Sequence, residues 1–96
     1  MKPSDALDRN RNAIREAVRK FPLRNPRVFG STMRGTDHDG SDLDLLVDAL
    51  PGATLFDLGG LQAEIEGLLG VPVDIVTTGG LRPAIREQGL AEAMPL

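Results

Sequence analysis

Three aspartates lie within apolar segments of the chain, where charged side chains are uncommon. Asp42 and Asp44 alternate with leucines in segment 42–47, and Asp74 lies in segment 73–76. Such alternation is typical of a β-strand, in which residues i and i+2 point to one face with Cα atoms about 6.6 Å apart. Two carboxylates at this spacing can bind one divalent cation, or two cations roughly 3.5–4 Å apart. Because Mg²⁺ prefers oxygen ligands, the spacing predicts a magnesium site, with a third carboxylate if the two strands are neighbours.

A glycine–serine pair upstream has the residue types that a phosphate site requires. Gly30 and Ser31 directly follow a short apolar segment that ends at Phe29. Glycine lets the main chain approach a ligand closely, and free N–H groups at a turn, with a serine hydroxyl, can bind phosphate. Alone, this pair would also fit a simple turn after a strand. Alone, the aspartates would also fit the solvent-exposed face of a sheet.

Two better-known ligand motifs do not fit this region. Gly30 and Gly35 have the spacing of a Walker loop, but Thr36 stands where that loop requires a lysine. The polar residues that follow do not form a calcium-binding EF-hand loop. Counting from Asp37 puts Asp42 at the sixth position, which requires glycine. The polar segment is therefore expected to be an ordinary loop.

Hydrophobic periodicity predicts helices and strands that alternate along the chain. In chain order, the expected elements are a helix capped by Ser4 and ended by Pro22, a turn at Asn25-Pro26, a strand at 27–29, a helical turn at 32–35, a strand at 42–47, a helix at 55–69, a strand at 73–76 and a helix from Leu81 or Arg82. A capping box formed by Thr54 and Asp57, and a stop at Gly70, support the second long helix.

The same periodicity predicts the core and the fold class. Alternate residues of the central strand should point inward, and its other face should present the two aspartates and Leu46. The expected inward residues are Leu43, Leu45 and Val47 of this strand and Leu58, Leu61, Ile65, Leu68 and Leu69 of the following helix. The predicted fold is α+β, a small mixed β-sheet packed by helices on one side, in one domain spanning residues 1–96.

Composition excludes several classes of protein. The 96 residues contain no cysteine, which excludes a disulfide scaffold and thiolate metal sites. No apolar run approaches the ~18 residues that a membrane span requires, and the first residues lack the apolar part of a secretory signal. A cytoplasmic protein is therefore expected.

Charge is distributed unevenly along the chain. Residues 1–36 hold nine Lys and Arg against three Asp and Glu, whereas residues 37–81 hold nine Asp and Glu and no Lys or Arg. These charges would fit a solvated basic helix followed by an acidic half. They would equally fit an acidic centre that concentrates a cation, beside a basic segment that faces phosphate or an acidic protein.

The segment from Gly30 to Val47 resembles a known signature. A Gly-Ser pair, ten residues and Asp-x-Asp are similar to the pattern of the DNA polymerase beta-like nucleotidyltransferase superfamily. The form GSxxRG…SDxDLxV is closer still to the minimal nucleotidyltransferases (MNT proteins), small prokaryotic proteins that are often antitoxins paired with a HEPN-domain toxin. Asp74 matches the family's third carboxylate, and residues 81–96 look like its final helix. The resemblance extends over nearly the whole chain.

This resemblance implies a nucleotidyltransferase fold and roles for particular residues. Gly30 and Ser31 would bind the phosphates of ATP. Asp42 and Asp44 would bind one or two Mg²⁺ ions. Asp74 would help to hold a metal ion and would deprotonate the acceptor hydroxyl.

Three further polar residues lie in the same region. Arg34 either contacts the triphosphate or pairs with a nearby aspartate. Ser41 is included among the nucleotide-binding residues, although a hydrogen bond to the main chain of its own loop is the favoured alternative. His38, between two aspartates, is expected to be an exposed side chain rather than a ligand.

The resemblance also implies a function. The protein would be a magnesium-dependent antitoxin that transfers AMP from ATP to a tyrosine of a HEPN ribonuclease toxin, inactivating the toxin within a hetero-oligomer. The alternative is a non-catalytic antitoxin that neutralises the toxin by forming a stable complex. Nucleic-acid binding is disfavoured, because the chain is acidic overall and has no Tyr or Trp for base stacking.

Overall fold

The fold is built on a mixed sheet that two long helices cover on one face. The elements of the computed structural model, which describes residues 2–80 and 93–96, are α1 (Pro3–Arg19), β1 (Leu23–Phe29), α2 (Gly30–Arg34), β2 (Leu43–Ala49), α3 (Leu55–Leu69), β3 (Val73–Thr77), a short 3₁₀ turn (Thr78–Gly80) and β4 (Met94–Pro95). The described strands lie in the order β3-β2-β1-β4. β1 is antiparallel to β2 and to β4, whereas β2 and β3 are parallel. Parallel neighbours need a crossover connection, which α3 provides.

Of the described elements, the two long helices α1 and α3 pack on one face of this sheet. Val28, Leu45 and Ile75 are register partners on three adjacent strands, and all three are buried in the core. Ile14 of α1 and Ile65 of α3 cover them from the helix side. The predicted α+β fold and inward face of β2 are confirmed. The opposite face is not wholly polar, since Leu46 is also fully buried there.

The start of α1 differs from the prediction. Its N-cap is Lys2, and Ser4 lies inside the first turn. The main-chain N–H of Ser4 donates to Oδ2 of Asp37 at 2.9 Å, so a carboxylate 33 residues away takes the capping role. The prediction that Ser4 caps this helix is therefore wrong, because the acceptor comes from a distant loop.

The predicted turn at Asn25-Pro26 is also wrong. Both residues lie inside β1, which is longer than the predicted strand. The register with β2 shifts between Arg24 and Arg27, and Asn25 has a φ of 55°. Asn25 and Pro26 therefore form a bulge within a continuous strand. A bulge accommodates Pro26, which has no main-chain N–H to donate.

The second long helix follows the sequence signals closely. α3 begins and ends at the expected residues, the main-chain N–H of Thr54 donates to Asp57 Oδ2 at 2.8 Å, and Gly70 ends the helix with a φ of 71°. One inward residue was wrongly predicted, because Leu68 is 44% exposed. The predicted final helix lies outside the described residues. Among residues 2–80 and 93–96, no helix is long and apolar enough to span a bilayer.

Candidate active site

The parallel pairing of β2 and β3 brings two aspartates side by side. Asp44 is the register partner of Asp74, and neighbouring strands lie about 4.8 Å apart. Because Leu45 and Ile75 point into the core, both carboxylates point to the face opposite the helices. Asp42 is exposed one residue before β2 begins. The two strands are therefore neighbours, which is the condition for a third carboxylate at the site, and the roles of the aspartates stay a prediction.

Asp44 is the electrostatic centre of this cluster. Burial raises the pKa of the Asp44 carboxyl, and the negative charges of Asp74 and Asp42 raise it further. The positive charge of Arg34 acts in the opposite direction. Neighbouring negative charges disfavour the charged form of a carboxyl group. A bound cation would remove this conflict.

The main chain at Gly30 lies directly against Asp44. Gly30 has a φ of +75°, and a Cβ atom placed there would lie 2.3 Å from Asp44 Oδ2. Phe29, the preceding residue, is the register partner of Asp44 on β1, which explains the close approach. Ser31 follows as the second residue of α2. The glycine–serine turn and the aspartates are thus neighbours in space.

The other predicted nucleotide-binding residues differ in their surroundings. Arg34 is exposed at the end of α2, within electrostatic range of Asp44. The Ser41 hydroxyl accepts a hydrogen bond from the main-chain N–H of His38 at 3.0 Å, and Ser41 N–H donates back to the His38 carbonyl at 2.9 Å. Ser41 thus makes the local bonds that the favoured alternative predicted. His38 is exposed, as expected.

The carboxylates of the site provide the kind of oxygen donors that Mg²⁺ prefers. Within residues 2–80 and 93–96, no three Asp, Glu, His or Cys side chains are arranged around one ion position. Mg²⁺, however, usually takes one or two carboxylates and completes its coordination with water and substrate phosphates. Asp42 and Asp44 supply two such oxygen donors, and the absence of a Cβ at Gly30 lets the main chain of the glycine–serine turn lie directly against Asp44. The residues therefore fit a magnesium site that a nucleotide completes.

Comparison with known proteins gives the family. The family described as nucleotidyltransferase domain matches residues 11–94, which include all three aspartates and the glycine–serine turn. The chain belongs to this nucleotidyltransferase family. The resemblance found in the sequence is confirmed, and the chain is accordingly a nucleotidyltransferase.

Similar proteins are known from both sequence and structure. Protein adenylyltransferase MntA from Thermococcus cleftensis is 35% identical to this nucleotidyltransferase over 80 residues, which are 83% of this chain and 81% of the relative. A solved structure described as a minimal nucleotidyltransferase matches with a TM-score of 0.88 and 46% identity, over 97% of this chain and 95% of that chain. A toxin–antitoxin crystal structure with AMP-PNP matches with a TM-score of 0.78 and 25% identity, over 90% and 71% of the two chains.

Sequence reasoning missed one residue that positions the site of this nucleotidyltransferase. Asp37 is only 8% exposed and anchors the loop between α2 and β2 to the first turn of α1. Burial raises its pKa, but hydrogen bonds from Ser4 and from the Asp37 main chain, together with the charge of Lys2, outweigh this effect, so the pKa is lowered overall. No local pattern marks Asp37, because its partner is distant in sequence. The loop that it anchors leads directly to Asp42.

Proposed function

We propose that this nucleotidyltransferase is an antitoxin that transfers AMP from ATP to a tyrosine hydroxyl of a HEPN-type toxin, with Mg²⁺ as cofactor. The observation that carries the proposal is the register pairing of Asp44 with Asp74 against the main chain of Gly30. The relative named protein adenylyltransferase MntA and the toxin–antitoxin structure with AMP-PNP support the reaction and the kind of partner.

Each residue of the site has a role in the proposed reaction that follows from its position. The turn formed by Gly30 and Ser31 lies against Asp44 and binds the phosphates of ATP, because glycine lets the main chain approach them closely. Asp42 and Asp44 would hold Mg²⁺, which when bound would neutralise charge on the triphosphate. Arg34, near Asp44, adds a fixed positive charge on the same side.

Asp74 has the position of a general base. It is exposed on β3, which forms one edge of the described sheet, so a partner protein can reach it. A tyrosine hydroxyl has a pKa of about 10 and needs a base at neutral pH. Asp74 accepts the phenolic proton while the phenolic oxygen forms a bond to the α-phosphorus. The bond from this phosphorus to the bridging oxygen breaks, and pyrophosphate leaves.

A labelling experiment tests the reaction. The purified chain is incubated with its cognate toxin, ATP and Mg²⁺, and the intact mass of the toxin is measured. We expect a gain of one AMP group on tyrosine, absent in Asp44→Asn and present in Asp48→Asn, which carries the same charge change on the same strand. An unmodified toxin with the wild type, or equal modification by Asp44→Asn, would overturn the proposal.

A second candidate is neutralisation by complex formation alone. Leu55 and Phe56, at the start of α3, are 84% and 91% exposed, and such exposed apolar pairs are typical of contact surfaces. Size-exclusion chromatography and a toxin activity assay with Asp42→Asn/Asp44→Asn separate the two functions. A stable complex that neutralises the toxin without modification would favour this candidate.

A further inference from the structure

A groove lies between α1, β1 and β4, away from the aspartates. It encloses about 400 Å³, and four arginines line it: Arg15, Arg19, Arg24 and Arg27. In the described sheet, β4 forms the edge opposite β3, which carries Asp74. The register partners of Arg27 and Arg24 are Leu46 and Asp48, about 7 and 13 Å along β2 from Asp44. This arginine groove is therefore separate from the aspartate site.

Two of the four arginines in the groove, Arg19 and Arg24, have no carboxylate partner among the described residues. Arg27 pairs with Asp48 at 2.5 Å. Arg15 donates to the side chain of Asn12 and to the last residue, Leu96.

Arg24 and Arg19 contact no carboxylate within residues 2–80 and 93–96. Arg24 donates to the main-chain carbonyls of Phe21 and Leu23 at 3.0 and 2.6 Å. Arg19 is exposed and has no hydrogen bond or ion pair within residues 2–80 and 93–96. The guanidinium groups of Arg19 and Arg24 therefore have no neutralising carboxylate among the described residues, and guanidinium groups match carboxylates in a bidentate geometry.

The floor of the arginine groove selects between possible anions. Val18, Pro26 and Pro95 contribute apolar surface, and no aromatic residue is among the described residues that line the groove. RNA bases would find no ring to stack on. A peptide that alternates carboxylates with apolar side chains would use both the arginines and the floor.

We propose that the arginine groove docks an extended acidic segment of the protein partner. The inference rests on the proposed function only in taking the partner to be a protein. Docking at one edge of the sheet leaves the other edge, with Asp74, open to the target hydroxyl. The groove would then raise affinity for the partner without taking part in the chemistry.

A binding assay without ATP tests this proposal independently of catalysis. The probe is a fluorescein-labelled octapeptide of alternating Glu and Leu, measured by fluorescence anisotropy at low salt, beside a labelled RNA octamer. Arg19→Gln/Arg24→Gln is compared with Arg9→Gln/Arg11→Gln, a control with the same charge change on α1 outside the groove. We expect the groove variant to weaken peptide binding roughly tenfold or more, and the control less than about twofold.

Three results would overturn the proposal: no peptide binding by the wild type, equal losses in both double variants, or RNA binding that is as tight and depends on the same arginines. Arg19→Glu, which loses no described partner, replaces the double variant if that variant does not fold. With the toxin as substrate, the groove variant should raise KM and leave kcat unchanged. Failure of AMP transfer with intact peptide binding would overturn the proposed function alone.

Discussion

The main chain at Gly30 passes so close to Asp44 that one added methyl group does not fit. In Gly30→Ala, the new Cβ would lie 2.3 Å from Asp44 Oδ2, so the carboxylate must move. Since displacement of a reacting group by about 1 Å can cost roughly 100-fold in rate, we expect a loss of that order in AMP transfer. Steady-state kinetics with the toxin measures it.

Gly35→Ala is the matched control for this prediction. Gly35 has a φ of +73°, nearly that of Gly30, but a Cβ there has no neighbour within 4 Å. Both variants should lose about 1 kcal/mol of stability from backbone strain. Only Gly30→Ala should lose activity, and equal activity in the two variants would contradict the role given to this contact.

Asp44 should lower stability at neutral pH in the absence of a cation. Its pKa is raised by burial and then by Asp74 and Asp42, so the charged form is unfavourable in the folded state. We expect Asp44→Asn to raise Tm by a few degrees in EDTA, since about 1 kcal/mol corresponds to ~4–8 °C in a domain of this size. The same variant should be inactive.

The opposite result is expected for Asp48→Asn. Asn25 and Arg27 hold the pKa of Asp48 below its usual range, at distances of 2.8 and 2.5 Å, so its charge stabilises the fold. This variant should keep its activity and show an unchanged or lower Tm. A fall in Tm for Asp44→Asn as large as that for Asp48→Asn would contradict the electrostatic account of the aspartate cluster.

At the scale of the element, α1 depends on a cap from another part of the chain. In Asp37→Ala the main-chain N–H of Ser4 loses its acceptor, and we expect a loss of about 1 kcal/mol at pH 7. The pKa of Asp37 is lowered by folding, so its contribution is present above about pH 4 and is lost as pH falls through the folded-state pKa. Urea unfolding of both proteins from pH 2 to 7 measures the difference, and a gap that stays constant down to pH 2 would contradict this account.

Elements with local signals could be predicted from the sequence, and those with distant partners could not. The boundaries of α3 follow from Thr54, Asp57 and Gly70, all within a turn of its ends. Gly59 and Gly60 lie inside α3, although glycine in a helix costs ~1 kcal/mol relative to alanine. A Cβ on Gly60 would lie 2.9 Å from the Phe21 ring, so glycine there allows the helix to pack close to the end of α1.

The candidate site shows the same division. Alternation alone predicted that Asp44 points away from the core, because successive side chains of a strand point to opposite faces. Whether Asp74 would lie beside Asp44 depends on which strands are neighbours, and periodicity does not contain that information. The resemblance to the minimal nucleotidyltransferases supplied it. The anchoring role of Asp37 was beyond both kinds of reasoning, because neither a period nor the motif marks it.

At the scale of the whole molecule, ligand binding should be coupled to the stability of the fold. Gly30, Asp44 and Asp74 come from three elements, so a nucleotide and Mg²⁺ bound there would stabilise only the folded chain. At a ligand concentration of 100 Kd the gain is about 2.7 kcal/mol, which should raise Tm by roughly 10 °C or more. Thermal unfolding with a non-hydrolysable ATP analogue and Mg²⁺ measures the shift. It should disappear in EDTA and in Asp44→Asn and persist in Asp48→Asn, whereas a shift that survives in Asp44→Asn would mean that the nucleotide binds elsewhere.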